Sequence, residues 1–116
     1  MTPLPQELTE RLLAFRAERD WQQFHNPRSL AAALAVEAGE LLELFMWARD
    51  GEVEATLERR RADVEDELAD IAVMLTYLCQ DLKVDLAAAV ARKLPRNAEK
   101  YPVDKARGRS EKYSRL

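Results

Sequence analysis

The sequence predicts an all-α fold, and three observations carry that expectation. Glycine is scarce, at three in 116 residues, while Ala, Leu, Glu and Arg are abundant; these are residues that helices favour. Apolar residues recur at three- and four-residue spacings along most of the chain. No stretch alternates with period two for long enough to make a strand. A chain of this length suits one domain, but its surface-to-volume ratio is poor. Wide apolar stripes on long helices would then favour self-association.

Four helical stretches are expected in order. Pro5 suits the first turn of a helix running to about Asp20, with Leu8, Leu12 and Phe15 as its apolar stripe. Asn26-Pro27 signals a turn, and Ser29 is the expected N-cap of a second helix from about Leu30 to Ala48. Asp50-Gly51 should end that helix. A third stretch should run from Val53 to Leu82, with a possible break at the arginine run Arg59–Arg61. Asp85 should cap a fourth helix starting at Leu86. Pro95 lacks a donor and crowds the carbonyl of Ala91, so it should kink or break that helix. Beyond Pro102 the chain reads as polar and irregular. The expected division is a helical domain over 1–103 and a basic C-terminal tail over 104–116.

No apolar run approaches the roughly 18 residues a membrane span needs. The N-terminus, MTPLPQELTE, has neither the basic nor the apolar region of a signal peptide. The single cysteine, Cys79, sits in an apolar helical stretch and reads as a buried small residue. A cytoplasmic home, no membrane contact and no internal disulfide are therefore expected. The net charge of −3 hides an asymmetry: residues 1–91 carry 9 basic against 18 acidic side chains, and residues 92–116 carry 9 against 3. The acidic bulk argues against a nucleic-acid surface. An acidic half with a basic tail suits a metal and an anion held together, although charge alone reads more simply as a solvated tail.

The chemistry is signalled by charges that break the apolar pattern. Leu30, Leu34, Leu41, Leu44, Phe45 and Ala48 share one face of the second helix at about 100° per residue, and Glu37 lies inside that face. Glu40 lies to one side, with Trp47 almost in line with it seven residues on. In the third stretch Val64, Leu68, Ile71, Leu75, Leu78 and Leu82 form the seam. Glu67 and Met74 lie at its edge, and Asp70 one step further round. Each helix thus offers acids at i and i+3, with Cβ atoms roughly 5–6 Å apart. A carboxylate on an apolar face is costly unless something neutralises it, and four together repel. A hard divalent cation removes both difficulties, and oxygen-only ligands point to Mg²⁺, with Mn²⁺ as a substitute. Ordinary surface acids, or acids paired with arginines, are the plainer alternative. A di-iron bundle needs Glu-x-x-His from two helices, and the single histidine, His25, lies in no such motif.

The two acid pairs, EAGE at 37–40 and ELAD at 67–70, match the ExxE…ExxD signature of the MazG-like all-α nucleoside triphosphate pyrophosphohydrolases, which this chain resembles. It looks closest to their dCTP pyrophosphatase branch. The likeness runs through ERDWQQFHNPRSL (18–30), EAGELLELFMW (37–47), EDELADI (65–71), VDLAAAVARKL (84–94), NAEKYPV (97–103) and RGRSEKY (107–113). The resemblance implies a four-helix bundle completed by oligomerisation into a homodimer or homotetramer. It implies Mg²⁺ on Glu37, Glu40, Glu67 and Asp70, a base pocket from Trp21, His25 and Trp47, and phosphate contacts from Lys93, Asn97 and Tyr101. Two departures bear on substrate choice. Met74 stands where the animal members carry a tyrosine, and Pro95 is foreign to the fourth helix.

Lys93, Asn97 and Tyr101 are spaced i, i+4, i+8, so a helix merely kinked at Pro95 keeps them on one face. A cation, an amide and a phenol make a phosphate-binding line. Arg109, Lys112 and Tyr113 in the tail are weaker candidates. Either tryptophan could stack on a base or fill core. The expected reaction is Mg²⁺-dependent hydrolysis of a nucleoside triphosphate, with dCTP or a modified cytosine analogue first among substrates. One of the four acids, or Glu43 beside them, would take the proton of the attacking water. The alternative is a non-catalytic helical module that binds nucleotide or a partner protein.

Overall fold

The computed structural model describes residues 3–116; the first two residues of the expected 1–103 domain lie outside it. Six α-helices follow one another: α1 Gln6–Glu18, α2 Pro27–Glu43, α3 Val53–Arg59, α4 Arg61–Leu82, α5 Leu86–Lys100 and α6 Val103–Ala106. Three short 3₁₀ turns cover Gln22–Phe24, Asp50–Glu52 and Tyr113–Arg115. No strand occurs among the described residues, and no described helix is long and apolar enough to cross a membrane. The chain forms two compact units, one ending at Val84 and the other spanning Asp85–Leu116.

In the first unit α4 is the axis, packing against α1, α2 and α3. The residues between α1 and α2 are fixed by local chemistry. Asp20 adopts the left-handed conformation at φ 52°, which short polar side chains tolerate. Its N–H reaches the carbonyl of Ala17 and that of Trp21 reaches Arg16, closing α1 as a Schellman motif. The apolar contact that accompanies such an ending is Trp21 against Phe15, edge to face at 5.8 Å. Helix α2 then begins three residues before the expected start. Asn26, not Ser29, is the N-cap: its side chain accepts from the Ser29 N–H, and Ser29 Oγ accepts from the Asn26 N–H, both at 2.9 Å. Pro27 occupies the first helical position, where a missing N–H costs nothing.

Helix α2 also ends before the expected Ala48. From Leu44 onward the N–H groups of Leu44, Phe45, Met46 and Ala48 reach carbonyls three residues back, so the last turn tightens out of α geometry. The expected break in the arginine run does occur: Arg60, at φ −111° and ψ 20°, joins α3 to α4. Helix α4 closes on Lys83 in the left-handed conformation, with Val84 N–H on the carbonyl of Cys79.

The buried set differs from the expected stripes. Leu30, Val64, Tyr77 and Cys79 are buried, with Thr9, Arg16, Thr56 and Thr76 beside them. On α1 the inward line is Thr9 and Arg16, while Leu8 and Phe15 are exposed. On α4 Leu68 and Leu82 are each 51% exposed, whereas Thr76 and Tyr77 are buried. Three helices pack around α4, so no single seam describes its buried face.

In the second unit Asp85 caps α5 as expected, its carboxylate accepting from Ala88 N–H at 3.2 Å. Pro95 does not break α5, which continues to Lys100. Beyond Pro102 the expected irregular chain contains the single turn α6, and Tyr113 packs edge to face on Tyr101 at 6.0 Å.

Candidate metal centre and flanking pockets

The packing of α2 on α4 brings the two acid motifs together. Carboxylate oxygens of Glu37, Glu67 and Asp70 lie within 4.8 Å of one another. Glu37 and Glu67 are half-buried, and Asp70 and Glu40 are exposed. One oxygen of each half-buried acid, Glu37 Oε2 and Glu67 Oε2, is buried with no hydrogen-bond partner. Glu40 falls outside the tight trio, yet it is near enough to act on Glu37 and Glu67.

Burial first, then the carboxyl of Glu67, then those of Glu40 and Asp70, push Glu37 up to about 7. Glu67 is raised too, chiefly by burial. Such sites favour either a bound proton or a bound cation. Among the described residues none of the four acids forms an ion pair, so arginine does not supply the positive charge. Unpartnered buried oxygens in an all-oxygen donor set fit a hard divalent cation.

A pocket flanks the acids on each side. One, of about 420 Å³, is lined by Glu40, Glu43, Leu44, Trp47, Arg60 and Glu67. The other, of about 340 Å³ and largely apolar, is lined by Trp21, His25, Asp70 and Met74 together with Leu12, Phe15, Val73 and Tyr77. Of the expected base-pocket residues, Trp21 and His25 share the second pocket and Trp47 lines the first. The helical alignment expected between Trp47 and Glu40 does not hold, because α2 ends at Glu43. Trp47 reaches the acids' pocket from the tightened turn instead, and is 86% exposed. Glu43 shares that pocket, and Met74 shares the pocket of Trp21.

His25 is held on both sides, by the 3₁₀ turn Gln22–Phe24 and by the Asn26 cap. Its Nδ1 lies 3.2 Å from Arg16 Nη1, and burial together with the Arg16 charge lowers its pKa.

The remaining candidates belong to the second unit. Lys93 and Asn97 stand one turn apart on α5, and both are exposed. Tyr101 lies just past the helix end, its N–H on the carbonyl of Asn97 at 2.9 Å. Tyr113 takes the ammonium of Lys100 at 5.0 Å and that of Lys112 at 5.9 Å from its ring centre. Arg109 pairs with Glu111 at 3.2 Å.

Sequence reasoning missed Arg60 and Arg16. Arg60 was legible only as part of a helix break, yet it lines the pocket of Glu40 and Glu67 while pairing with Asp63 at 2.7 Å. Arg16 gave no local signal, because its partner Asp81 is 65 residues away.

A model of the MazG-like family matches residues 32–116. The human protein "dCTP pyrophosphatase 1" is 46% identical over 104 residues, covering 88% of this chain and 61% of that protein. The bovine protein of the same name is 47% identical over 104 residues, covering 88% and 62%. The chain thus spans about three fifths of the length of these curated relatives. A solved pyrophosphatase from Archaeoglobus fulgidus superposes with a TM-score of 0.79 at 41% identity, covering 84% of this chain and 91% of that one.

Proposed function

The chain belongs to the MazG-like family, and from that premise we propose that it hydrolyses a nucleoside triphosphate to the monophosphate and pyrophosphate. The observation that carries this reading is the acid cluster with two unpartnered buried oxygens, set between an apolar pocket and a polar one. Glu37, Glu40, Glu67 and Asp70 would hold Mg²⁺, with Mn²⁺ as a substitute. When bound, the cation supplies charge neutralisation for the phosphates and a more acidic water.

The chain's own residues divide the remaining work. The pocket of Trp21, His25 and Met74 takes the base, and Trp47 offers an exposed ring for stacking beside Glu40. Arg60, Lys93 and Asn97, with Tyr101, are the groups for the phosphate oxygens. Arg109, Lys112 and Tyr113 are secondary candidates for the same role. As water oxygen bonds to the α-phosphorus, the bridge to the β-phosphate breaks and pyrophosphate leaves. The water's proton passes to a carboxylate, Glu43 or one of the four.

The substrate proposed first is dCTP or a modified cytosine analogue, because the named curated relatives are dCTP pyrophosphatases. A pocket distinguishes a single methyl group by only about 1–3 kcal/mol, so a panel at fixed Mg²⁺ should show graded rather than absolute preference. The protein is expected to act as a homodimer or homotetramer on the cytoplasmic nucleotide pool.

Glu40→Gln and Asp70→Asn should each abolish pyrophosphate release while leaving the helical circular dichroism unchanged. Full turnover in either variant removes the metal-site reading. Absence of release from every canonical and modified triphosphate would favour a non-catalytic nucleotide-binding module.

A further inference from the structure

Arg16 is a buried cation that the proposed reaction does not use. It lies on α1 at 3% exposure. Its guanidinium donates to both oxygens of Asp81, Nη1 to Oδ2 at 2.9 Å and Nη2 to Oδ1 at 2.8 Å. It also stands 4.6 Å from the centre of the Tyr77 ring. Tyr77 in turn donates its hydroxyl to the carbonyl of Leu12 at 2.9 Å, and its ring lies 5.4 Å from that of His25. Asp81 and Tyr77 thus fix the guanidinium in place and plane, and Nη1 is delivered to His25 Nδ1 at 3.2 Å.

A guanidinium has donors only. Nδ1 must therefore accept, and a neutral imidazole accepting at Nδ1 carries its proton on Nε2. Nε2 has no hydrogen-bond partner among the described residues, and His25 lines the apolar pocket of Trp21 and Met74.

We propose that Arg16 and Asp81 are positioning residues for the nucleobase: they hold His25 as the neutral Nε2–H tautomer, so the pocket presents one fixed donor. This rests on the nucleotide reading given above. The base must then offer an acceptor to His25, a carbonyl oxygen or an unprotonated ring nitrogen. A base turning an amino group to that point would leave two donors facing each other, which is costly in an apolar pocket. The network therefore selects among bases by edge and orientation, where an isolated histidine could swap tautomers to suit either edge. Burial and the Arg16 charge both disfavour the imidazolium, in keeping with this role.

The chain has one histidine, so its ring nitrogens can be read without ambiguity by long-range ¹H–¹⁵N NMR. The unmodified protein should show an unprotonated Nδ1 and a protonated Nε2, with the Nε2 resonance moving on addition of dCMP. Asp81→Asn should blur the tautomer preference and weaken dCMP binding by about tenfold, while the same change in a His25→Gln background should weaken it no further. An Nδ1–H tautomer, an Nε2 resonance that no deoxynucleoside monophosphate moves, or equal losses in the two backgrounds would overturn the proposal. If Nε2 responds to dCMP as stated but no triphosphate is cleaved, the hydrolytic reading falls and the positioning role stands.

Discussion

Glu37 shows how one residue can bind a proton when metal is absent and a cation when it is present. Its carboxyl sits on the apolar face of α2 and is pushed up to about 7, first by burial and then by Glu67, Glu40 and Asp70. The folded state therefore binds this proton more tightly than the unfolded chain does, where a glutamate titrates near 4.5. The resulting stabilisation is fully present below about 4.5 and is lost as pH rises through about 7. Metal-free protein in chelator should lose thermal stability across that window. Mg²⁺ should restore most at the upper end, where the carboxylate is ionised and free to bind it. Glu37→Gln should flatten the pH dependence and remove the Mg²⁺ increment together. Unfolding midpoints measured from pH 4.5 to 8, with and without Mg²⁺, check this. A Gln variant still stabilised by Mg²⁺ would exclude Glu37 as a ligand.

At the scale of elements, the caps decide where the site residues fall. The reciprocal bonds between Asn26 and Ser29 start α2 directly after His25. Asn26→Ala should cost about 1 kcal/mol by the usual worth of such a cap, and should also loosen His25 and weaken nucleotide binding. Denaturant unfolding and a dCMP titration read the two effects separately. Pro95 gives the opposite case, since Ala91 has no N–H to receive inside an otherwise continuous α5. Pro95→Ala should raise the unfolding midpoint, by up to the ~3 kcal/mol that separates the two residues in a helix interior. A lowered midpoint would mean that α5 depends on the proline. These local features were legible in the sequence wherever one residue's chemistry is decisive, as at Asp85 and in the Arg59–Arg61 break. Glu37 was legible because a carboxylate on an apolar stripe is its own anomaly. The end of α2 was not, because nothing in Leu44–Ala48 excludes further α-helix; hence Trp47 reaches its pocket by an unforeseen route. The pairing of Arg16 with Asp81 was not legible either, since only the tertiary packing of α1 on α4 brings two ordinary surface residue types together.

For the whole molecule, the number of large apolar side chains in water matters more than the small core. Leu42 is 60% exposed, Val36 58%, Leu68 51%, Leu82 51%, Val90 50% and Leu94 61%. They lie on α2, α4 and α5, so both compact units expose them. Single exposed leucines are ordinary, but apolar residues shared among three helices mark association surfaces. Burial of such a side chain is worth about 1.5–3 kcal/mol, enough for a few to hold identical chains together. Light scattering on the eluted protein should therefore give the mass of a dimer or tetramer. Leu42→Glu and Leu94→Glu place a charge in each unit where an apolar contact is expected. At least one should lower the assembly mass, and pyrophosphate release should fall with it if the partner chain completes the site. The two readings come apart cleanly: a monomer with full turnover removes the need for assembly. A smaller assembly that keeps its activity would show that each chain carries a whole site, with Lys93 and Asn97 serving the acids of their own chain.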